Sequence, residues 1–155
     1  MVKNLERLIY EISLKMRLLK AIQTINDESG LSEREVLLLE LIGSQKGMSI
    51  SDIGKYFPGL AISTISGDIS QLWKKRELVT KGINPDNERA RVIELSDKGY
   101  KLLNDVEKKQ AERFSILLKG LNVKGENRKI LEQIIQDALL FIEEKLASLN
   151  SSNSE

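Results

Sequence analysis

The Pro58-Gly59 pair constrains this chain more than any other feature, because it sits between two stretches that both read as helix. Proline has no backbone donor and disfavours the helical region for the residue before it, so one helix has to stop and another start within a few residues. Upstream, Ser49 with Asp52 three residues on predicts a capped start for a short helix reaching Phe57. Downstream, Ile62, Ile65, Ile69 and Leu72 fall on one side of a helix, and Ser63, Thr64, Gly67, Ser70, Gln71 and Lys74 point roughly the opposite way. Leu78 to Lys81 and Arg91 to Leu95 then read as two short strands, joined by a turn-forming Gly82 to Asn87 segment that contains Pro85. Helix, forced turn, helix and hairpin in that order make a helix-turn-helix with a wing.

Longer helices flank this module. Leu5, Leu8, Ile9, Ile12, Met16, Leu19, Ile22 and Ile25 recur at three- and four-residue steps, predicting an amphipathic helix that ends near Asn26 to Gly30. Ser32 and Glu35 form the pattern of a capping box for the next helix, which carries Val36, Leu37, Leu39, Leu41 and Ile42 and stops around Gly43 to Gly47. From Ser96 a helix runs towards Lys119, breaks at Gly120 to Gly125, and resumes with Ile130, Leu131, Ile134, Ile135, Ala138, Leu139, Ile142, Leu146 and Leu149. The expected class is mainly α with a small β-hairpin wing. Residues 1–28 and 120–149 form a helical dimerisation region, 31–99 the winged helix-turn-helix, 100–119 a connecting helix, and 150–155 a disordered tail. No linker separates these parts, so they are expected to form one unit.

Composition removes whole classes of chemistry. The 155 residues contain neither cysteine nor histidine, which excludes thiolate and imidazole catalysis, disulfides and the usual structural zinc sites. Gly43 to Gly47 has neither the spacing nor the ending of a phosphate-binding loop, and Glu143-Glu144 reads as the solvent face of a helix. No enzyme, metal or cofactor is expected. No run of about 18 apolar residues is present, so no membrane segment is expected and the cytoplasm is the expected location. Net charge is +1 overall, yet Leu60 to Arg91 holds six cations against four anions, leaving −1 for the remainder. This polarisation is weak, and the order of parts has to carry the functional case.

That order points to duplex DNA. A major groove about 12 Å wide admits a helix whose outward residues are short or able to bond base edges. Gln71 suits an adenine edge, the hydroxyls suit phosphates or bases, and Gly67 removes bulk where backbone and DNA would approach. A plain polar solvent face explains the helix taken alone equally well. Asp68 counts against DNA, since it repels phosphate unless it pairs with a cation such as Lys75 or meets a cytosine amino group. Lys81, Arg89 and Arg91 on the hairpin can clamp phosphates or enter a narrow minor groove, although surface arginines also keep a lone hairpin soluble.

The chain resembles the MarR family of winged-helix transcription regulators over nearly its whole length. The residues that carry the likeness are the Leu31-Ser32 helix start, Ser49-Ile50-Ser51-Asp52-Ile53, Ser63-Thr64-Ile65-Ser66, Asn84-Pro85-Asp86-Asn87-Glu88-Arg89 and Leu95-Ser96-Asp97-Lys98-Gly99. Three positions depart from the family pattern. Asn87-Glu88-Arg89 replaces Asp-x-Arg, so the ion pair that holds the wing arginine is either taken over by Asp86 or lost. Glu77 replaces a glycine ahead of Leu78-Val79 in a segment that looks one residue longer, where Trp73 is expected to fill core space. Lys81 replaces the wing-strand arginine, keeping the charge without the bidentate fork.

The resemblance implies a homodimer whose first and last helices interleave and which presents two recognition helices to a pseudo-palindromic operator, most often as a repressor. It places the DNA contacts at Ser63, Thr64, Ser66, Gly67, Ser70, Gln71 and Lys74 on the recognition helix and at Lys81, Asn87, Arg89 and Arg91 on the wing. It also implies release by a small aromatic or anionic effector whose contacts have no signature among the leucines and isoleucines. The alternative is a winged-helix protein-interaction module that has lost DNA binding.

Overall fold

A computed structural model describes residues 4–24 and 29–152. The chain divides into two compact units, residues 1–33 and 34–155, in place of the single unit expected. In the first unit, α1 (Leu5–Thr24) starts where Asn4 Oδ1 accepts from the backbone N–H of Arg7 at 3.2 Å. Its apolar stripe stays open to solvent at Leu5, Ile9, Ile12 and Leu19. The expected helix end near Asn26, and the side chains of Ile22 and Ile25, lie outside the described residues.

The second unit holds the rest of α2 (Glu33–Ser44), then α3 (Ile50–Lys55), α4 (Ile62–Lys74), β1 (Val79–Asn84), β2 (Asn87–Leu95), α5 (Asp97–Gly120) and α6 (Gly125–Ser152). Its core is Leu38, Leu39 and Ile42 from α2, Ile53 from α3, Ile65, Ile69 and Leu72 from α4, and Val79 and Ile93 from the hairpin, all fully buried. Each such side chain contributes about 1.5–3 kcal/mol by leaving water. Two expectations on apolar phase are corrected. In α2 it is Leu38 that is buried while Leu37 is 49% exposed, a choice that three consecutive leucines leave open. In α4 Ile62 is 53% exposed, because at the first helical position it lies over the edge of α3 at Gly54 instead of reaching the core.

Local chemistry sets the element boundaries. Ser49 and Asp52 form a complete capping box at α3: the Ser49 hydroxyl accepts from Asp52 N at 3.0 Å, and the Asp52 carboxylate accepts from Ser49 N at 3.1 Å. The residue before it, Met48, exchanges two backbone bonds with Ile93, N to O distances 3.3 and 2.7 Å, and so adds a one-residue third rung to the hairpin. The strands pair antiparallel from Val79↔Leu95 and run further than the sequence pattern showed, so the turn shrinks to Pro85-Asp86.

Where β2 hands over to α5, Ser96 Oγ accepts from Gly99 N at 3.0 Å and donates to the carbonyl of Glu77 at 2.6 Å. A Cβ at Gly99 would overlap the Leu78 carbonyl, so only glycine lets α5 start this close to β1. After the break at Leu121 and Asn122, α6 continues to Ser152, so the part of the expected tail that is described is helical and residues 153–155 lie outside the description. No helix among the described residues is long and apolar enough to cross a membrane.

Candidate nucleic-acid interface

The turn from Phe57 to Leu60, closed by a 2.9 Å bond from Leu60 N to Phe57 O, sets α4 against α3 and decides which side of α4 faces outward. Ile65, Ile69 and Leu72 point into the core, leaving Ser63, Gly67, Gln71 and Lys74 as an exposed outer ridge. Thr64, Ser66 and Ser70 flank that ridge and are half-buried, so seven expected residues divide into four that face out and three at its edges. A Cβ added at Gly67 would meet nothing within 4 Å. Packing within the chain therefore gives no reason for a glycine in mid-helix, where it costs about 1 kcal/mol against alanine.

Asp68 does not pair with Lys75. Its carboxylate takes a two-pronged bond from Arg34 at the start of α2, Nε to Oδ2 2.6 Å and Nη2 to Oδ1 3.1 Å. The guanidinium of Arg34 is held above its ordinary pKa, first by that hydrogen bond and then by the carboxylate charge. The acid that counted against DNA is thus neutralised by a residue 34 positions upstream, which no local pattern reveals. The same pair ties the front of α2 to the middle of α4.

Beyond Lys74, α4 closes with a wide turn. Arg76 N donates to Gln71 O at 3.1 Å, five residues back, and Leu78 N donates to Leu72 O at 2.8 Å, six residues back. This widened exit absorbs the extra residue read in the sequence. Glu77 holds φ +59°, the left-handed conformation that a glycine would take without strain. Its carbonyl is held by Ser96 Oγ, and its carboxylate meets Lys98 Nζ at 3.6 Å in an exposed pair that contributes little.

Trp73 is not a core filler. It is 39% exposed at the end of α4, with Lys74 Nζ 5.5 Å and Lys81 Nζ 4.7 Å from the ring centroid. Lys81 is thereby held beside α4, half-buried on β1. At the wing tip, Asn84 Oδ1 accepts from Asp86 N at 2.9 Å and Asn87 Oδ1 accepts from Arg89 N at 3.1 Å. Neither Asp86 nor any other acid pairs with Arg89 among the described residues; backbone bonds from two asparagines shape the tip instead. The pairing jumps from Ile83↔Arg91 to Asn84↔Asn87, so Glu88 to Ala90 bow out of the ladder, and Asn87, Arg89 and Arg91 are all exposed. No cluster of potential metal ligands occurs among the described residues.

No family model and no curated protein matches the chain. Solved structures do. A MepR variant from S. aureus aligns with a TM-score of 0.70 at 18% identity, over 90% of this chain and 99% of that one. MarR from E. coli, in its apo form, gives 0.64 at 18% identity over 90% and 99%. FabT from Streptococcus pneumoniae, solved in complex with DNA, gives 0.63 at 14% identity over 91% and 99%. At these identities the likeness is one of fold, and the chain has the MarR-type winged helix-turn-helix fold.

Proposed function

We propose that the protein is a dimeric, sequence-specific DNA-binding transcriptional regulator, acting as a repressor and not as an enzyme. The observation that carries this reading is the outer face of α4. It is a ridge of small and polar residues around Gly67, a glycine without an intramolecular reason, beside an aspartate whose charge Arg34 has already taken up. Gln71 and the hydroxyls are then the base-edge contacts, and Lys74, Lys81, Arg89 and Arg91 are the phosphate contacts. The shared fold with a DNA-bound FabT supports the same assignment. Asp68 was a main reason to consider an interaction module without DNA binding, and its pairing removes that reason.

The dimer is supported by the apolar residues that α1 and α6 leave exposed, since a two-fold operator is read by a two-fold protein. For an aromatic or anionic effector, the crevice at the α5–α6 turn offers Phe114, Leu118 and Val123 as floor and Lys119, Lys124 and Arg128 as rim.

The test is a titration of fluorescent genomic duplexes, including the DNA upstream of the protein's own gene, at two salt concentrations. Three or four phosphate contacts per subunit predict a log–log salt slope of about −5 to −7. Arg89→Ala should weaken binding to every sequence, and Gln71→Ala should mainly relax sequence preference. A folded dimer that binds no fragment, or binds with a slope near zero, overturns the reading.

A further inference from the structure

Trp73 is the chain's only tryptophan, and it brings together two cations from different elements. Lys74 belongs to α4 and Lys81 to β1, yet both ammonium groups lie within 5.5 Å of one ring centroid. Elsewhere Lys20, Lys55 and Lys98 each meet a carboxylate, whereas neither Lys74 nor Lys81 has an ion-pair partner among the described residues. Two like charges gathered on one ring repel, and the negative face of the ring offsets only part of that repulsion. What the arrangement lacks is an anion. In a helix-turn-helix the N-terminal residues of the second helix meet base edges, so its C-terminal end, where Trp73 stands, lies towards the phosphates at the rim of the groove.

We propose that Trp73 is a positioning residue. It holds Lys74 of the recognition helix and Lys81 of the wing as a two-ammonium clamp for one backbone phosphate, joining the two DNA-contacting elements at a single point. This rests on the DNA-binding reading above. Lysine is a flexible point charge, and resting it on a rigid ring removes freedom it would otherwise lose on binding.

The experiment uses full-length Trp73→Leu, Trp73→Phe, Lys81→Gln and the Trp73→Leu/Lys81→Gln double variant, each shown to melt like the wild type, on the duplex that the wild type binds. Trp73→Phe keeps a ring and should stay within about threefold of wild-type affinity. Trp73→Leu and Lys81→Gln should each weaken binding about five- to tenfold and lower the salt slope by about 1. The double variant should be no weaker than the worse single, because the ring acts through the lysine. Tryptophan emission of the wild type should change with duplex and stay unchanged with inorganic phosphate at equal phosphate concentration.

Equal effects of Phe and Leu, additive losses in the double variant, or an equal emission response to free phosphate would each overturn the clamp. Failure of the wild type to bind any duplex overturns the DNA-binding reading instead, so the two failures are told apart by the wild type alone.

Discussion

The winged module and α6 are built from the same aliphatic residues and use them in opposite ways. Between α2 and β2, Leu38, Ile53, Ile65, Ile69 and Ile93 are at most 1% exposed, while along α6 Ile134, Leu139, Leu140, Phe141 and Ile142 are 53–60% exposed. One region closes its core within a single chain; the other holds an apolar face that a soluble monomer does not leave uncovered. The difference teaches that the fold of the module is intramolecular and the fold of the assembly is not. The sharpest way to break this comparison is Leu139→Asp with Ile142→Asp, which puts two carboxylates where the proposed dimer would bury them. The double variant is expected to raise the dimer dissociation constant at least ~1,000-fold by sedimentation, while the thermal unfolding of the module stays in place. A variant that sediments as a dimer would move the interface away from α6.

Inside the module the reverse holds, since there the limit is too little space. Gly99→Ala drives a methyl group into the Leu78 carbonyl, and neither side can yield readily. Ser96 fixes the start of α5, and the Leu78 carbonyl itself accepts from Ser96 N at 3.0 Å. The expected loss is about 3 kcal/mol, read as a melting-temperature drop of roughly 6–12 °C. A neutral outcome would mean that the strand-to-helix handover is far softer than its hydrogen bonds imply.

These two regions also differ in how far the sequence discloses them. Pro58, the Ser49–Asp52 box, the Ser96–Gly99 start and the Ile65, Ile69, Leu72 spacing are all settled within a few residues, so they are legible directly. Three features of the interface are not. Arg34 meets Asp68 across 34 positions, Trp73 meets Lys81 across the exit of α4, and Leu37 to Leu39 fit a helix in any phase until the other elements choose one. The wing tip shows the same limit, because its two asparagine-to-backbone bonds leave the hairpin as regular as an ion pair would. Local chemistry announces where elements begin and end; which side chains meet across them depends on packing that no window of residues contains.

A smaller effect separates the fixed module from the solvated helices. Asp52 is held below the usual aspartate pKa of 3.8, first by the hydrogen bond from the Ser49 hydroxyl and then by the one from the Ser49 backbone N–H. A carboxylate whose folded pKa is depressed adds stability above its ordinary pKa, and that contribution disappears as pH falls through the folded value. Ser49→Ala should therefore cost about 1 kcal/mol at pH 7, and the gap to wild type should narrow in urea titrations below pH 3.8. The exposed Arg128–Glu132 pair of α6 gives the contrast. Its removal should shift stability by less than about 0.5 kcal/mol and fade with added salt. Equal losses at both places would erase the distinction.

The smallest change is the most informative, because its two readouts are expected to move in opposite directions. Gly67 sits in mid-helix with open space where a methyl group would go, so Gly67→Ala should raise stability by about 0.5–1 kcal/mol through helix propensity alone. If the open space is where a DNA backbone or base edge approaches, the same methyl group should lower duplex affinity about tenfold, a penalty of about 1.4 kcal/mol. A variant that is stabler and binds as well as wild type makes Gly67 merely a poor helix residue and removes it from the interface. A variant that is stabler and binds worse shows that the chain keeps a weaker helix in the place where something other than itself has to fit.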